Sequence, residues 1–187
     1  MLKRIIRFLL KFSKFKKTIN NCPCYDNEGN FIGWFSRSVA VTLVTFFIDK
    51  DKKVYVLASK RGKGTPDPEF VGSWNVCCGY LDFNETCRQA AVRETFEETG
   101  IKIEQDKLHF LTVNDDPTDD KRQNIRIIYY TILNGDKNDL EKKFSFKYNE
   151  KNEVDEIRFI RLNDIDNFKW AFKHDEIIRT IFPMVEY

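Results

Sequence analysis

Between Ser38 and Ile48 the chain reads Ser-Val-Ala-Val-Thr-Leu-Val-Thr-Phe-Phe-Ile, apolar, β-branched and aromatic with little polar interruption. A run of that kind predicts a strand buried on both faces. Asp49 to Lys53 supplies turn chemistry, and Val54-Tyr-Val-Leu-Ala58 returns, so a hairpin is expected. Lys60 to Pro68 then reads as a basic, breaker-rich loop. Further strands are predicted over 108–113, 124–133 and 156–162, with a closing helix over 173–182, while 20–30 reads as a polar turn region. Residues 2–17 place Ile5, Leu9 and Phe12 on one side of a helix and Lys3, Arg4, Arg7, Lys11 and Lys14 on the other, a basic amphipathic pattern. Strands with helices spread among them, and no internal repeat, predict an α/β fold with a mixed sheet between helices.

One more helix carries the chemistry. Thr86 followed by Gln89 is a capping box, and Gly100 suits the position just past a helix end, so about four turns are expected between them. On that helix Glu94, Glu97 and Glu98 stand at i, i+3 and i+4, within one arc of the surface. Val92, Phe96 and Thr99 are free to pack on the opposite side, and small Ala90 and Ala91 leave room for an approach to the acidic side. On an arbitrary helix such a cluster is a solvated face. Here the crowding costs a few tenths of a kcal/mol per like-charged pair, and only Arg93 with Glu97 offers an i,i+4 ion pair in return. A divalent cation bridging carboxylates to substrate phosphates would remove the repulsion.

Composition narrows the class. The 187 residues, with 17 Phe but only 5 Pro and 8 Gly, suit one globular domain, read as residues 21–187 behind an appendage at 1–20. Of the net +2, residues 1–17 contribute +7, which leaves −5 on the rest and argues against nucleic-acid binding as the main task. The appendage is either an anchor for anionic membrane surfaces or a helix docked on its own domain or on a second subunit, and a homodimer stays open. Arg7 and Lys11 interrupt any secretory apolar stretch, and five cysteines is an odd count, so a cytoplasmic setting is expected, with membrane-peripheral placement as the variant. Cys22-Pro-Cys24 and Cys77-Cys78 lack CxxC spacing and nearby histidines, which speaks against zinc and for inert thiols.

The segment Gly79 to Ile101 resembles the Nudix box, G-x5-E-x7-R-E-U-x-E-E-x-G-U with U a bulky apolar residue. Gly79, Glu85, Arg93, Glu94, Glu97, Glu98, Gly100 and Ile101 all match, and Thr95 is the one departure. The likeness extends over roughly residues 38–182, through Arg61, Trp74, Asp82 and Glu153-Val-Asp-Glu-Ile-Arg-Phe159. Upstream of the box Cys77 and Cys78 replace a common Pro-Gly, and Asn84 stands where Gly is frequent, a tolerable exchange because Asn accepts left-handed backbone.

The resemblance implies a Nudix α/β/α sandwich and hydrolysis of a diphosphate linkage with Mg²⁺, or Mn²⁺ in its place. Gly79, Glu94, Glu97 and Glu98 would hold the metal. The catalytic set would be Glu97, Glu98, Glu153 as general base, and Arg93, with Arg93 and Glu85 orienting loop and helix, and Gly100 structural. Arg61, Lys63 and Arg122 are the candidate phosphate contacts, whereas Asp115 to Asp120 is first of all a turn. Within the family the Asp115–Arg122 loop and the Ala171-Phe-Lys-His174 opening of the last helix resemble ADP-ribose pyrophosphatase-like members, and the substrate class implied is a nucleoside diphosphate linked to another moiety, ADP-ribose-like or a nucleotide sugar. The alternatives are a (d)NTP pyrophosphohydrolase, a nucleotide-sensing module without turnover, and a membrane-surface or RNA-associated scaffold.

Overall fold

The computed structural model describes residues 22–35, 38–82, 84–116, 124–147 and 152–185. The predicted helix over 2–17, and with it Arg122 and Asp119, lies outside these residues. Contacts divide the chain into two units, Met1–Ser38 with Asp116–Asn124, and Val39–Asp115 with Ile125–Tyr187. In the first, the expected turn region is an antiparallel hairpin, β1 (Cys22–Tyr25) and β2 (Phe31–Phe35), closed around Asp26, whose carboxylate accepts from the backbone of Glu28 and Asn30.

The second unit is built on β3 (Val39–Asp49) and β4 (Val54–Arg61), the predicted hairpin, with Lys52 left-handed in its turn. β5 (Trp74–Asn75), β6 (Cys77–Tyr80), β7 (His109–Asn114), β8 (Ile125–Gly135) and β9 (Val154–Arg161) complete a seven-stranded mixed sheet. β8 runs parallel to β3 along its whole length, whereas the other edge of β3 is shared by β4 at residues 46–48 and by β6 at residues 40–43. β4 therefore splays away from β3 past Val56, and β5 and β6 fill the opening. These two short strands had no counterpart in the sequence reading.

Alternation along β3 divides the core. Val41, Leu43 and Phe47 face one layer, where α1 (Cys87–Thr99) buries Ala90 and Ala91; Val44, Phe46 and Ile48 face the other, where α3 (His174–Ile181) buries Ile178 and Ile181. This is the expected α/β/α sandwich. A short helix, α2 (Lys137–Glu141), was not foreseen; Asp136 caps it by accepting from the backbone of Asn138 and Asp139. One expectation is corrected. Ala90 and Ala91 do not open space beside the carboxylates but are the close-packing face of α1, buried with Thr95 and Thr99 against the sheet, while Val92 and Phe96 are only half-buried. A sheet is wide and flat, so a helix approaches it closely only through small side chains.

Candidate functional site

α1 begins and ends as its sequence predicts. The Thr86 hydroxyl accepts from Gln89 N at 3.3 Å, and the Gln89 side chain accepts from Thr86 N at 2.7 Å. Gly100 is left-handed at φ +79°, and a Cβ there would meet Lys143 O at 2.7 Å, so both backbone and space require glycine. Thr95 replaces an apolar residue without leaving a polar group unsatisfied, because its buried hydroxyl donates to Ala91 O at 2.8 Å. Asn84, as expected, is left-handed at φ 64°.

Arg93 ties the motif together. Its guanidinium meets both oxygens of Glu85, at 3.0 and 2.6 Å, and also donates to Tyr80 O at 3.0 Å, to Glu94 at 2.8 Å and to Glu97 at 3.0 Å. Hydrogen bonding to Arg93 holds the Glu85 carboxyl below its ordinary range, while Glu85 in turn raises Arg93. Glu85 also accepts from Asp82 N at 2.8 Å, so the pair pins the loop before α1 onto the helix.

Two carboxylates of the helix trio lie over β6. Glu94 packs onto Gly79 so closely that a Cβ at that position would overlap the whole carboxylate. Glu98 reaches the neighbouring residue, where Oε1 accepts from Cys78 N at 3.2 Å, and its Oε2 accepts from Ser59 Oγ at 2.7 Å. Burial lifts Glu94 to about 6 and Glu98 to about 7. Glu97 points outward, its side chain 42% exposed against Arg93. Among the described residues no three His, Cys, Asp or Glu side chains converge as a ready cage for an ion. The donor set still fits a hard cation. Glu94 and Glu98 are oxygen donors over adjacent strand residues, their charges disfavoured by burial, and Gly79 leaves the space that the Glu94 carboxylate occupies.

The remaining candidates divide. Arg61 donates to Asp67 at 3.2 Å and to Thr65 Oγ1, lies 4.8 Å from the centroid of the Phe172 ring, and has only 12% of its side chain exposed. It is held, with its Nε–H buried and unmatched. Lys63 is exposed in a loop strapped to the start of β9: Gly62 N donates to Glu153 O at 2.7 Å and Gly64 N to Asn152 O at 3.0 Å. The fold thus gathers Arg61, Lys63 and Glu153 at one end of β4. Arg122 lies outside the described residues.

Asn75 and Arg126 escaped the sequence reading, whereas His174 lies in the Ala171–His174 segment already singled out for its likeness. Asn75 stands beside Ser59 across the β4–β5 pair. Arg126 of β8 donates to Phe172 O at 3.3 Å, and desolvation lowers it. His174, fully buried at the start of α3, accepts from Val76 N through Nδ1 at 3.2 Å. Burial, with Arg126 and Arg61 nearby, depresses it to about 3. No local pattern marks Asn75 and Arg126, because each is placed by strand pairing. The thiols behave as expected of inert groups: burial pushes Cys78 up to about 12 and Cys77 well above its usual range.

The chain matches the family model of the NUDIX domain over residues 36–181. No curated protein matches the sequence. Among solved structures it is similar to the NUDIX domain of Shewanella oneidensis NrtR complexed with ADP ribose, at a TM-score of 0.63 and 16% identity over 93% of this chain and 98% of that one. It is also similar to a MutT/nudix family protein from Enterococcus faecalis, at 0.64 and 22% over 95% and 69%. A C. elegans Ap4A hydrolase follows at 0.56 and 17% over 78% and 97%. At these identities the structural likeness is one of fold. The family match, however, runs from the first core strand through the carboxylate helix to the last helix, and on that ground the protein belongs to the Nudix family.

Proposed function

We propose that the protein hydrolyses the diphosphate of a nucleoside diphosphate linked to another group, ADP-ribose-like or a nucleotide sugar, with Mg²⁺ or Mn²⁺ as cofactor. The observation that carries this reading is the pair of half-buried, charge-strained carboxylates of Glu94 and Glu98 set side by side over Gly79 and Cys78. Glu94 and Glu98, with Glu97 and the Gly79 carbonyl, would hold the metal, which when bound supplies charge neutralisation at phosphate and a lowered pKa for water.

The chain's own groups do the rest. Arg93 and Glu85 orient the loop and helix that carry these donors. Arg61 lends positive charge at the end of β4, its guanidinium fixed by Asp67. Lys63, in the strapped loop, is available to a phosphate oxygen. Glu153 would take a proton from the attacking water. Attack at phosphorus then yields a nucleoside monophosphate and a phosphorylated remainder.

A phosphate-release screen over ADP-ribose, nucleotide sugars, dinucleotides and NTPs, with Mg²⁺ and with EDTA, tests the reading. Metal-dependent turnover of a diphosphate-linked substrate, with ¹⁸O from water entering a product phosphate, is expected. Pyrophosphate from NTPs alone would transfer the assignment to (d)NTP pyrophosphohydrolysis, and binding without turnover would transfer it to a sensing module. Glu153→Gln should lower kcat about 10²-fold or more with metal affinity nearly intact, and should remove the acidic limb of the pH–rate profile.

A further inference from the structure

Ser59 lies in β4, wholly buried, two residues before Arg61 and outside the motif that defines the family. Its hydroxyl has one proton and two acceptors within reach, Glu98 Oε2 at 2.7 Å and Asn75 Oδ1 at 3.3 Å. The Asn75 amide cannot turn to offer a donor instead, because its nitrogen is committed to Val76 O at 2.9 Å and faces Cys78 Sγ at 3.8 Å. A charged acceptor at the shorter distance takes the proton, so Ser59 donates to Glu98.

Glu98 therefore has one donor on each oxygen, Ser59 Oγ on Oε2 and Cys78 N on Oε1, and both donors belong to the sheet. Glu94 and Glu97 are fixed differently, through the guanidinium of Arg93, which is itself a cation occupying the carboxylates. Two donors cannot rotate with the helix, and they leave the other lone pairs of the carboxylate open. From this geometry we infer that Ser59 is a positioning residue for Glu98, aiming the carboxylate at the metal before any ion arrives. The inference rests on the metal role of Glu98 proposed above. A hydrogen-bonded group behind a metal ligand is commonly worth 10- to 100-fold in metal affinity.

Mn²⁺ alone, titrated into the full chain without substrate and followed by the electron paramagnetic resonance signal of the free ion, tests it. Ser59→Ala should weaken Mn²⁺ binding about 10- to 100-fold, and saturating Mn²⁺ should restore most of its kcat. Ser59→Thr, which keeps the hydroxyl, should bind within a few-fold of wild type. In a Glu98→Gln background Ser59→Ala should add less than about two-fold, since it acts only through that carboxylate. Melting curves in EDTA establish that each variant is folded. If Ser59→Ala binds Mn²⁺ like wild type while Glu98→Gln does not, Ser59 only fills space and the inference falls, leaving the proposed function intact. If neither changes Mn²⁺ binding, both fall.

Discussion

Glu98 is a residue whose usefulness and whose effect on stability pull in opposite directions. Burial holds its folded-state pKa at about 7, above the ordinary 4.5. The stability associated with its protonated form is fully present below 4.5 and is lost as pH rises through 7. Every tenfold difference in proton affinity between the folded and unfolded chain corresponds to about 1.4 kcal/mol. Glu98→Gln stays neutral, and the Ser59 hydroxyl can turn its proton to Asn75 Oδ1 to suit the new amide. In EDTA at pH 8 this variant should melt a few degrees higher than wild type, with the gap closing by pH 4.5, while kcat falls at least about 10²-fold. Equal melting temperatures at pH 8 would show that the carboxylate is not strained. Gly79→Ala addresses the same site through space: its Cβ would displace the Glu94 carboxylate. Metal affinity should fall at least about ten-fold in a folded protein, as read by Mn²⁺ titration and circular dichroism.

Among the elements, α1 shows how one helix serves packing and chemistry together. Its small residues close onto β3, its caps fix both ends, and Glu94 and Glu98 lie over β6. α3 adds to its buried Ile178 and Ile181 a hydrogen bond, Val76 N to His174 Nδ1, that joins the last helix to the residue between β5 and β6. His174 sits at about 3 in the fold, below its ordinary 6.5, so its contribution is present above pH 6.5 and is lost as pH falls towards 3. Between pH 4.5 and 7 this trend opposes that of Glu98, which flattens the wild-type profile. His174→Gln should destabilise the protein by about 1–3 kcal/mol at pH 7 and lose less stability than wild type between pH 7 and pH 4.5, measured by urea unfolding at the two values. Parallel pH dependences would exclude a buried neutral imidazole.

At the scale of the whole molecule, the sheet brings distant residues to one end of β4, whereas the strongest charge feature, +7 over residues 1–17, falls outside the described residues. We expect deletion of these residues to leave kcat within a few-fold and to abolish binding to anionic vesicles; unfolding or inactivity would make them a docked part of the domain. No helix among the described residues is long and apolar enough to cross a membrane. The sequence by itself determined the elements whose reasons are local. The unbroken apolar run of β3, the capping box at Thr86, the left-handed Gly100 and the spacing of Glu94 and Glu98 all depend on neighbours within a few residues. Only the tertiary structure decided what lies across strands. β5 and β6 are short and are strands because β4 splays from β3; Ser59 meets Glu98, and Glu153 meets the Lys63 loop, through pairings between segments far apart in the chain. It also decided that Arg61 is bound to Asp67, since the two are joined by a loop with no regular element to fix the distance between their charges, whereas the i,i+4 pair of Arg93 and Glu97 follows from helix spacing.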